Sequence, residues 1–393
     1  MIRTAVIGMG NMGSRYAGLI SSGMVPGMTL SAVTRVKPDR LEKLGEEAVS
    51  GLKVFDTADE LLDSAASGKI SLDAVIIATP HYSHEQIAVR AWRSGLHVLC
   101  EKPAGVYSRQ ARIMEEEAEK SGKVFAMMFQ MRTSECYREL RSIVLSGKYG
   151  KIKRVHWIVT NWYRTEGYYK TSKWHATWAT DGGGVLLNQC PHNLDILQWI
   201  CGMPVRVQGF CHEGHYHDIE VEDDVTAYME WKDGATGTFI TSTGDAPAID
   251  RLEIFMEEAL IVCENGRVRI AELEPEMGQK ESGYRKESTD FFRTIKGTWH
   301  DVVLEKDTED QYLKMLCGFA SYLLCDDGQD PFIVSGSEGR KSLMLSNAIY
   351  LSSWEKTMID IPEPGSCDEL EFEKRFEDAL KQKTEKSRLS SDR

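Results

Sequence analysis

The first twenty residues constrain this chain more than any other stretch. Residues 3–8 read as a buried strand, the loop Gly8-Met9-Gly10-Asn11-Met12-Gly13 follows at once, and residues 13–21 read as a helix. A G-x-G-x-x-G loop between a strand and a helix turns tightly. Its glycines let backbone N–H groups and the helix N-terminus approach a pyrophosphate. Gly8, Gly10, Asn11, Met12 and Gly13 are therefore the candidate contacts for a dinucleotide.

The pattern then repeats. Strand-type runs at 28–33, 52–55, 73–78, 97–100 and 124–129 alternate with helical segments at 38–48, 83–95 and 108–121, and Thr57-Ala58-Asp59-Glu60 has the form of a capping box. Such alternation predicts a parallel, doubly wound sheet whose strands end along one ligand-binding edge. Three further groups fall where strands end: Thr34-Arg35, Thr79-Pro80 and Glu101-Lys102-Pro103. A domain preferring NAD places an acid after the second strand to hold the ribose hydroxyls. Thr34 and Arg35 instead suit a 2′-phosphate, which favours NADP and leaves NAD open. Lys102 sits where a lysine can be tuned for proton transfer. His84, which starts a helix near that edge, reads either as a helix-cap residue or as a cofactor contact.

At 393 residues the chain exceeds what one core usually serves, so two domains are expected. The expected boundaries are a nucleotide-binding domain over 1–126, a substrate and oligomerisation domain over 127–364, and a charged tail over 365–393. The formal charge of −13 argues against nucleic acid or an anionic membrane surface as partner. No apolar run approaches the ~20 residues that span a bilayer. The N-terminus shows no signal-peptide pattern, and nine cysteines without a Cys-x-x-Cys pair fit reduced thiols, so the expected compartment is the cytoplasm.

With Gly8-x-Gly10-x-x-Gly13, Ala78-Thr79-Pro80 with His84, Glu101-Lys102-Pro103 and the run from Gly182 through Asn188 and His192 to Asp195 in this order, the chain resembles the glucose–fructose oxidoreductase / inositol dehydrogenase / MocA family of NAD(P)-dependent oxidoreductases. The resemblance implies an N-terminal Rossmann domain followed by an α+β domain with a large, mostly antiparallel open sheet. It also implies a homodimer or homotetramer through the open sheet face. It places Lys102 beside the nicotinamide and the reacting hydroxyl, and gives His192 the acid/base role. The family often carries an aspartate four residues before that histidine, where this chain has Asn188. An asparagine orients an imidazole or a sugar hydroxyl but holds no charge.

The segment before the triple glycine is rich in aromatic and polar residues: Trp162, Tyr163, Arg164, Tyr168, Tyr169, Trp174, His175 and Trp178. Sugars present C–H faces edged by hydroxyls, which tyrosine and tryptophan match with a flat body and a polar tip. Tyr163, Arg164 and Trp174, with Lys102, Asn188 and His192, are the expected substrate contacts. His212, His215 and His217 match no compact zinc spacing and read as a loop between strands, so no metal is expected. Strand-type runs joined by short turns fill 225–272, and helices are expected over 309–325 and 336–357.

These features point to oxidation of a secondary hydroxyl of a sugar, glycoside or polyol, its hydride passing to nicotinamide. Two alternatives stay open on sequence. One is a glycoside-cleaving enzyme that oxidises transiently and recycles a tightly bound NAD. The other is a non-catalytic sensor of nucleotide or sugar.

Overall fold

The computed structural model describes residues 1–34, 44, 51–170, 176–273, 296–325 and 330–391. The helix expected over 38–48 lies outside the described residues. The chain divides into two compact units. The first gathers Met1–Thr133, Ala179–Gly182 and Asp307–Met344, and the second Ser134–Trp178, Gly183–Lys306 and Leu345–Arg393.

In the first unit, β1 (Ile2–Ile7), β2 (Met28–Thr34), β3 (Lys53–Phe55), β4 (Ala74–Ile77), β5 (His97–Cys100) and β6 (Phe125–Met127) form one parallel sheet in the order β3-β2-β1-β4-β5-β6. Helices α1 (Asn11–Ser21), α2 (Ala58–Ala66), α3 (His84–Arg93) and α4 (Ser108–Ser121) alternate with the strands. Continuous apolar strands fit a sheet covered on both faces: Val6, Ile7, Val75, Ile76, Ile77, Val98 and Leu99 are all buried. In α1, Gly13, Tyr16, Ala17 and Ile20 form the buried stripe that seats the helix. The strand order reverses between β1 and β4, which opens the ligand crevice of a doubly wound sheet at their carboxyl ends.

Thr57 accepts the Glu60 N–H at 3.1 Å, and the Glu60 carboxylate returns to the Asp56 N–H at 3.2 Å, so the capping box forms one residue wide of its usual closure. Ser83 makes no side-chain cap. A 3₁₀ turn over His81–Ser83 precedes α3, and the Ser83 hydroxyl donates back to Thr79 and Pro80 instead.

The second unit begins with α5 (Glu135–Leu145), β7 (Ile152–Val159), α6 (Glu166–Lys170) and α7 (Pro191–Cys201). There follow β8 (Arg206–Glu213), β9 (Glu222–Glu230), β10 (Thr236–Ser242), β11 (Asp250–Met256), β12 (Ala259–Glu264), β13 (Arg267–Leu273), β14 (Gly297–Asp301) and β15 (Ile359–Asp360). They make a nine-stranded sheet in the order β14-β13-β12-β11-β7-β10-β9-β8-β15, antiparallel except between β7 and β10. Strand β8 was not anticipated, because its polar residues alternate with a glycine rather than with large apolar ones; His212 therefore stands on a strand.

One face of this sheet is packed, with Trp157 and Phe239 crossing edge-to-face at 6.0 Å and both fully buried. The other carries the row Phe210–Thr226–Ile240–Ile158–Arg251, whose members are half-buried or exposed. The later helices are α8 (Gln311–Leu324), within the first unit, α9 (Gly336–Glu355), and α10 (Cys367–Ser391) in the charged tail. Among the described residues no helix is long and apolar enough to cross a membrane.

Candidate active site

Parallel strands bring the candidates of the first unit to one edge. Gly8 follows β1 with φ +95°, and a Cβ there would lie 2.5 Å from the Ala78 carbonyl oxygen beyond β4. A Cβ on Gly13 would overlap the Gly8 carbonyl. These two glycines are needed for close packing of loop, strand and helix. Gly10 differs, since a Cβ there would meet open space. Helix α1 begins at this point without a side-chain cap. An uncapped helix N-terminus behind an exposed glycine is what a pyrophosphate requires, so the residues present fit a dinucleotide. Asn11 is exposed and Met12 half-buried at the start of α1.

Three expected cofactor contacts prove to be turned inward. Thr34 is buried, and its hydroxyl accepts the Gly8 N–H at 3.0 Å, so it holds the loop instead of facing a ribose phosphate. His84 is fully buried, with Nδ1 2.8 Å from the Pro103 carbonyl oxygen and Nε2 2.8 Å from that of Thr79. It ties the ends of β4 and β5 together and offers no nitrogen to a ligand. Burial pulls its pKa down to about 4, and a neutral ring donates to only one of the two carbonyls at a time. Glu101 is also buried; its carboxylate accepts the Tyr16 hydroxyl of α1 and, at 3.0 Å, the Lys102 N–H. Burial raises the Glu101 pKa, and the neighbouring Lys102 opposes the rise.

Lys102 remains half-buried at the end of β5, on the edge that carries the glycine loop, and its bond to Pro103 is cis. Thr79 is half-buried and Pro80 exposed on the same edge. Behind them, Tyr16 faces Tyr312 of α8 at 6.0 Å, and Gln130 donates to the Tyr312 hydroxyl at 3.0 Å. Arg35 lies outside the described residues.

In the second unit the glycine turn is shaped by a residue that the sequence did not single out. The Glu222 carboxylate, fully buried at the start of β9, accepts the Gly184 and Leu186 N–H groups, each at 2.9 Å, and the Tyr350 hydroxyl at 2.7 Å. Burial pushes its pKa up to about 7 although all three donors favour the charged form. Gly183 and Gly184 are required here because a Cβ on either would overlap Tyr350 or the Glu222 backbone. The turn delivers half-buried Asn188, whose N–H donates to the Gly184 carbonyl at 2.9 Å. Pro191 then opens α7, with His192 buried in its first turn. Asp195 is buried and accepts from Gln198 within α7 at 3.2 Å.

The aromatic segment is only partly assembled around this turn. Tyr163 is 53% exposed, whereas Arg164 is half-buried with its guanidinium 5.0 Å from the centre of the Tyr168 ring. Gln189 donates to the Tyr168 hydroxyl at 3.4 Å. Trp178 is core, packed edge-to-face on Tyr350 and Trp354. Trp174 and His175 lie outside the described residues. Of the histidine group, His217 is held by Asp223 at 2.8 Å and by the Arg164 carbonyl at 2.9 Å. Among the described residues no three His, Cys, Asp or Glu side chains are grouped to hold a metal.

Residues 2–129 match the model of the oxidoreductase family with an NAD-binding Rossmann fold, and residues 137–262 match the GFO/IDH/MocA C-terminal domain. The chain belongs to the GFO/IDH/MocA oxidoreductase family. It is 31% identical over 205 residues to an inositol 2-dehydrogenase of Leifsonia xyli, a match spanning 52% of this chain and 55% of the relative. It is 25% identical over 378 residues to a myo-inositol 2-dehydrogenase of Thermotoga maritima, covering 92% and 99%. The fold is shared with the WlbA dehydrogenase of Bordetella pertussis, solved in complex with NADH and UDP-GlcNAcA, at TM-score 0.73 and 23% identity over 92% of this chain and 99% of that one.

This GFO/IDH/MocA oxidoreductase thus carries its Rossmann motifs in a form readable from sequence, while the supports of those motifs come from afar. Tyr16 gave a signal only as the aromatic member of the α1 stripe. Glu222 gave none beyond an acidic run, Glu220-Val221-Glu222-Asp223-Asp224, that reads equally well as a solvated loop.

Proposed function

We propose that the chain oxidises a secondary hydroxyl of a sugar, glycoside or polyol as an NAD(P)-dependent dehydrogenase. The observation that carries this reading is Lys102 at the end of β5, half-buried on the edge that bears the glycine loop, while its neighbours Glu101 and His84 are turned inward and fixed. Gly8, Gly10, Asn11, Met12 and Gly13 would hold the pyrophosphate at the N-terminus of α1. Nicotinamide, when bound, supplies the two-electron acceptor.

Lys102 and His192 share the remaining task, which is to take the proton from the reacting hydroxyl. Asn188 orients the hydroxyl or the imidazole without adding charge, so Lys102 carries a larger part of the proton chemistry than it would beside an acid. Arg164 and Tyr163 contact the sugar. The names of the inositol dehydrogenase relatives support a polyol or sugar as substrate. Since Thr34 is committed to the loop, the preference for NADP rests on Arg35.

A panel of sugars, glycosides and inositols run with NAD and NADP separately, following the reduced nucleotide, tests the reading. Lys102→Met is expected to keep nucleotide affinity within about threefold and to lose turnover about a thousandfold, the middle of the range for a proton-transfer group. Near wild-type turnover in this variant overturns the assignment. Cleavage of a glycoside without net nucleotide reduction replaces it with the redox-assisted hydrolase.

A further inference from the structure

We infer that the substrate is an anionic sugar, bearing a carboxylate or a phosphate that pairs with Arg164; this rests on the sugar-oxidising reading above and narrows its substrate class. Two buried arginines of the first unit are matched with acids: Arg132 meets Glu338 at 2.6 Å and Arg340 meets Glu115 at 2.9 Å. Arg164, which is half-buried, is not so matched. Its Nη1 donates only to the adjacent Tyr163 carbonyl, at 3.1 Å, and its Nε is buried without a hydrogen-bond partner. Among the described residues no carboxylate forms an ion pair with it.

The acid nearest in sequence, Glu166, and the acid that shares His217 with the Arg164 carbonyl, Asp223, are spent on other groups. Glu166 accepts the Asp218 N–H at 3.2 Å and faces Lys170 at 3.9 Å. Asp223 accepts the N–H groups of His215, Tyr216 and His217 and holds the His217 ring. In a chain of net charge −13, a desolvated guanidinium without an acid is costly unless something else supplies the anion.

The group is also held ready. The Arg164 N–H donates to the Thr243 carbonyl at 2.9 Å, and its own carbonyl lies 2.9 Å from His217 Nε2. The guanidinium lies over Tyr168, whose hydroxyl accepts from Gln189, the residue next to Asn188 and three before His192. A fixed planar fork of donors, stacked on an aromatic ring and left without a carboxylate, is suited to bidentate recognition of a carboxylate or phosphate. The bond of Tyr168 to Gln189 sets that recognition beside the segment that bears the proposed proton-handling residues of this unit.

The test is calorimetric binding of D-glucuronate, D-glucose 6-phosphate and D-glucose to the full chain saturated with reduced nucleotide, with oxidation of each followed in parallel. Wild type should bind at least one anionic sugar ten- to hundredfold more tightly than glucose, and the two anions tell a carboxylate from a phosphate. Arg164→Gln should bring that ratio close to one, Arg164→Lys should restore part of it, and the loss should fall on KM more than on kcat. Unchanged nucleotide affinity in both variants shows that they are folded. Equal or absent binding of the anionic sugars by wild type, or a preference that survives Arg164→Gln, overturns the inference. An anion preference lost in Arg164→Gln without turnover of any sugar leaves the inference standing and overturns the dehydrogenase reading. Oxidation of neutral sugars with no effect of Arg164→Gln on anion binding does the reverse.

Discussion

Two glycine turns in this chain use their backbone amides in opposite ways. The turn after β1 is braced by a neutral group, the Thr34 hydroxyl on the Gly8 N–H, and runs into an α1 that has no side-chain cap. The turn before α7 has the amides of Gly184 and Leu186 taken by the protein's own carboxylate, Glu222, with Tyr350 completing the shell. A neutral brace leaves the positive end of a helix for an external anion, whereas an internal carboxylate uses that capacity to fix the loop. Glycine content alone does not mark an anion site. What the amides are already bonded to does.

The largest test of this contrast is the removal of Glu222. Glu222→Ala leaves two amides and a hydroxyl unpaired in a fully buried place, and the expected loss is about 3 kcal/mol or more in urea unfolding. Glu222→Gln separates charge from hydrogen bonding through its pH dependence. The folded-state pKa, near 7, lies above the ordinary 4.5, so the folded protein holds this proton more firmly than the unfolded chain. The stabilisation that follows is fully present below about pH 4.5 and is lost as pH rises through 7.

His84 acts in the opposite sense. Its pKa falls from 6.5 to about 4 on folding, so its contribution is present above 6.5 and is lost as pH falls through 4. The wild-type profile therefore mixes two opposed slopes. The difference between wild type and Glu222→Gln isolates one: wild type should lose about 3 kcal/mol more than the variant between pH 4.5 and pH 8. A flat difference would mean that Glu222 keeps its charge throughout and braces the turn as an anion.

That dependence on Glu222 also shows where reading the sequence stops. The first turn is legible because its requirements are local: a strand, two glycines forced by contact with Ala78 and with Gly8 itself, and a helix stripe at 13, 16, 17 and 20. The strand-end positions of Thr79 and Lys102 follow from the same alternation. Direction of a side chain does not. Thr34, His84 and Glu101 stand at the expected places, but burial and partners far along the chain turn them inward, Glu101 toward Tyr16 and His84 toward two strand ends. Glu222 was hidden for the same reason, since its pairing with Gly184 joins a strand to a loop that no local pattern connects. Strand β8 was missed because its apolar alternation is interrupted by Gly209, which packs against the Ile349 backbone.

Gly10→Ala examines the first turn from the ligand's side. The residue has φ −68° and open space where the Cβ would stand, so alanine fits the free protein and the melting temperature should change little. The added methyl would occupy the approach of the pyrophosphate, and nucleotide Kd should rise about tenfold, equivalent to about 1.4 kcal/mol. The matching change in the second turn has no such freedom, because a Cβ on Gly184 would overlap the Glu222 carbonyl. Unchanged nucleotide affinity in Gly10→Ala, measured by titration of intrinsic fluorescence, would remove the glycine loop from the binding site and with it the claim that the two turns serve different anions.

The smallest effect is the most direct measure of the neutral brace. Thr34→Val keeps the side-chain shape and deletes the acceptor of the Gly8 N–H, which is buried with its residue. An unmet backbone donor of this kind costs about 1 kcal/mol, and Thr34→Ser, which restores the hydroxyl, should recover most of it. The comparison with Glu222 is the point of the measurement. A hydroxyl accepting one amide should cost about a third of a carboxylate accepting three donors, and its loss should be independent of pH between 5 and 8. Were Thr34→Val to destabilise as much as Glu222→Ala, the first turn would depend on its brace as heavily as the second, and the charge of the brace would not be what distinguishes them.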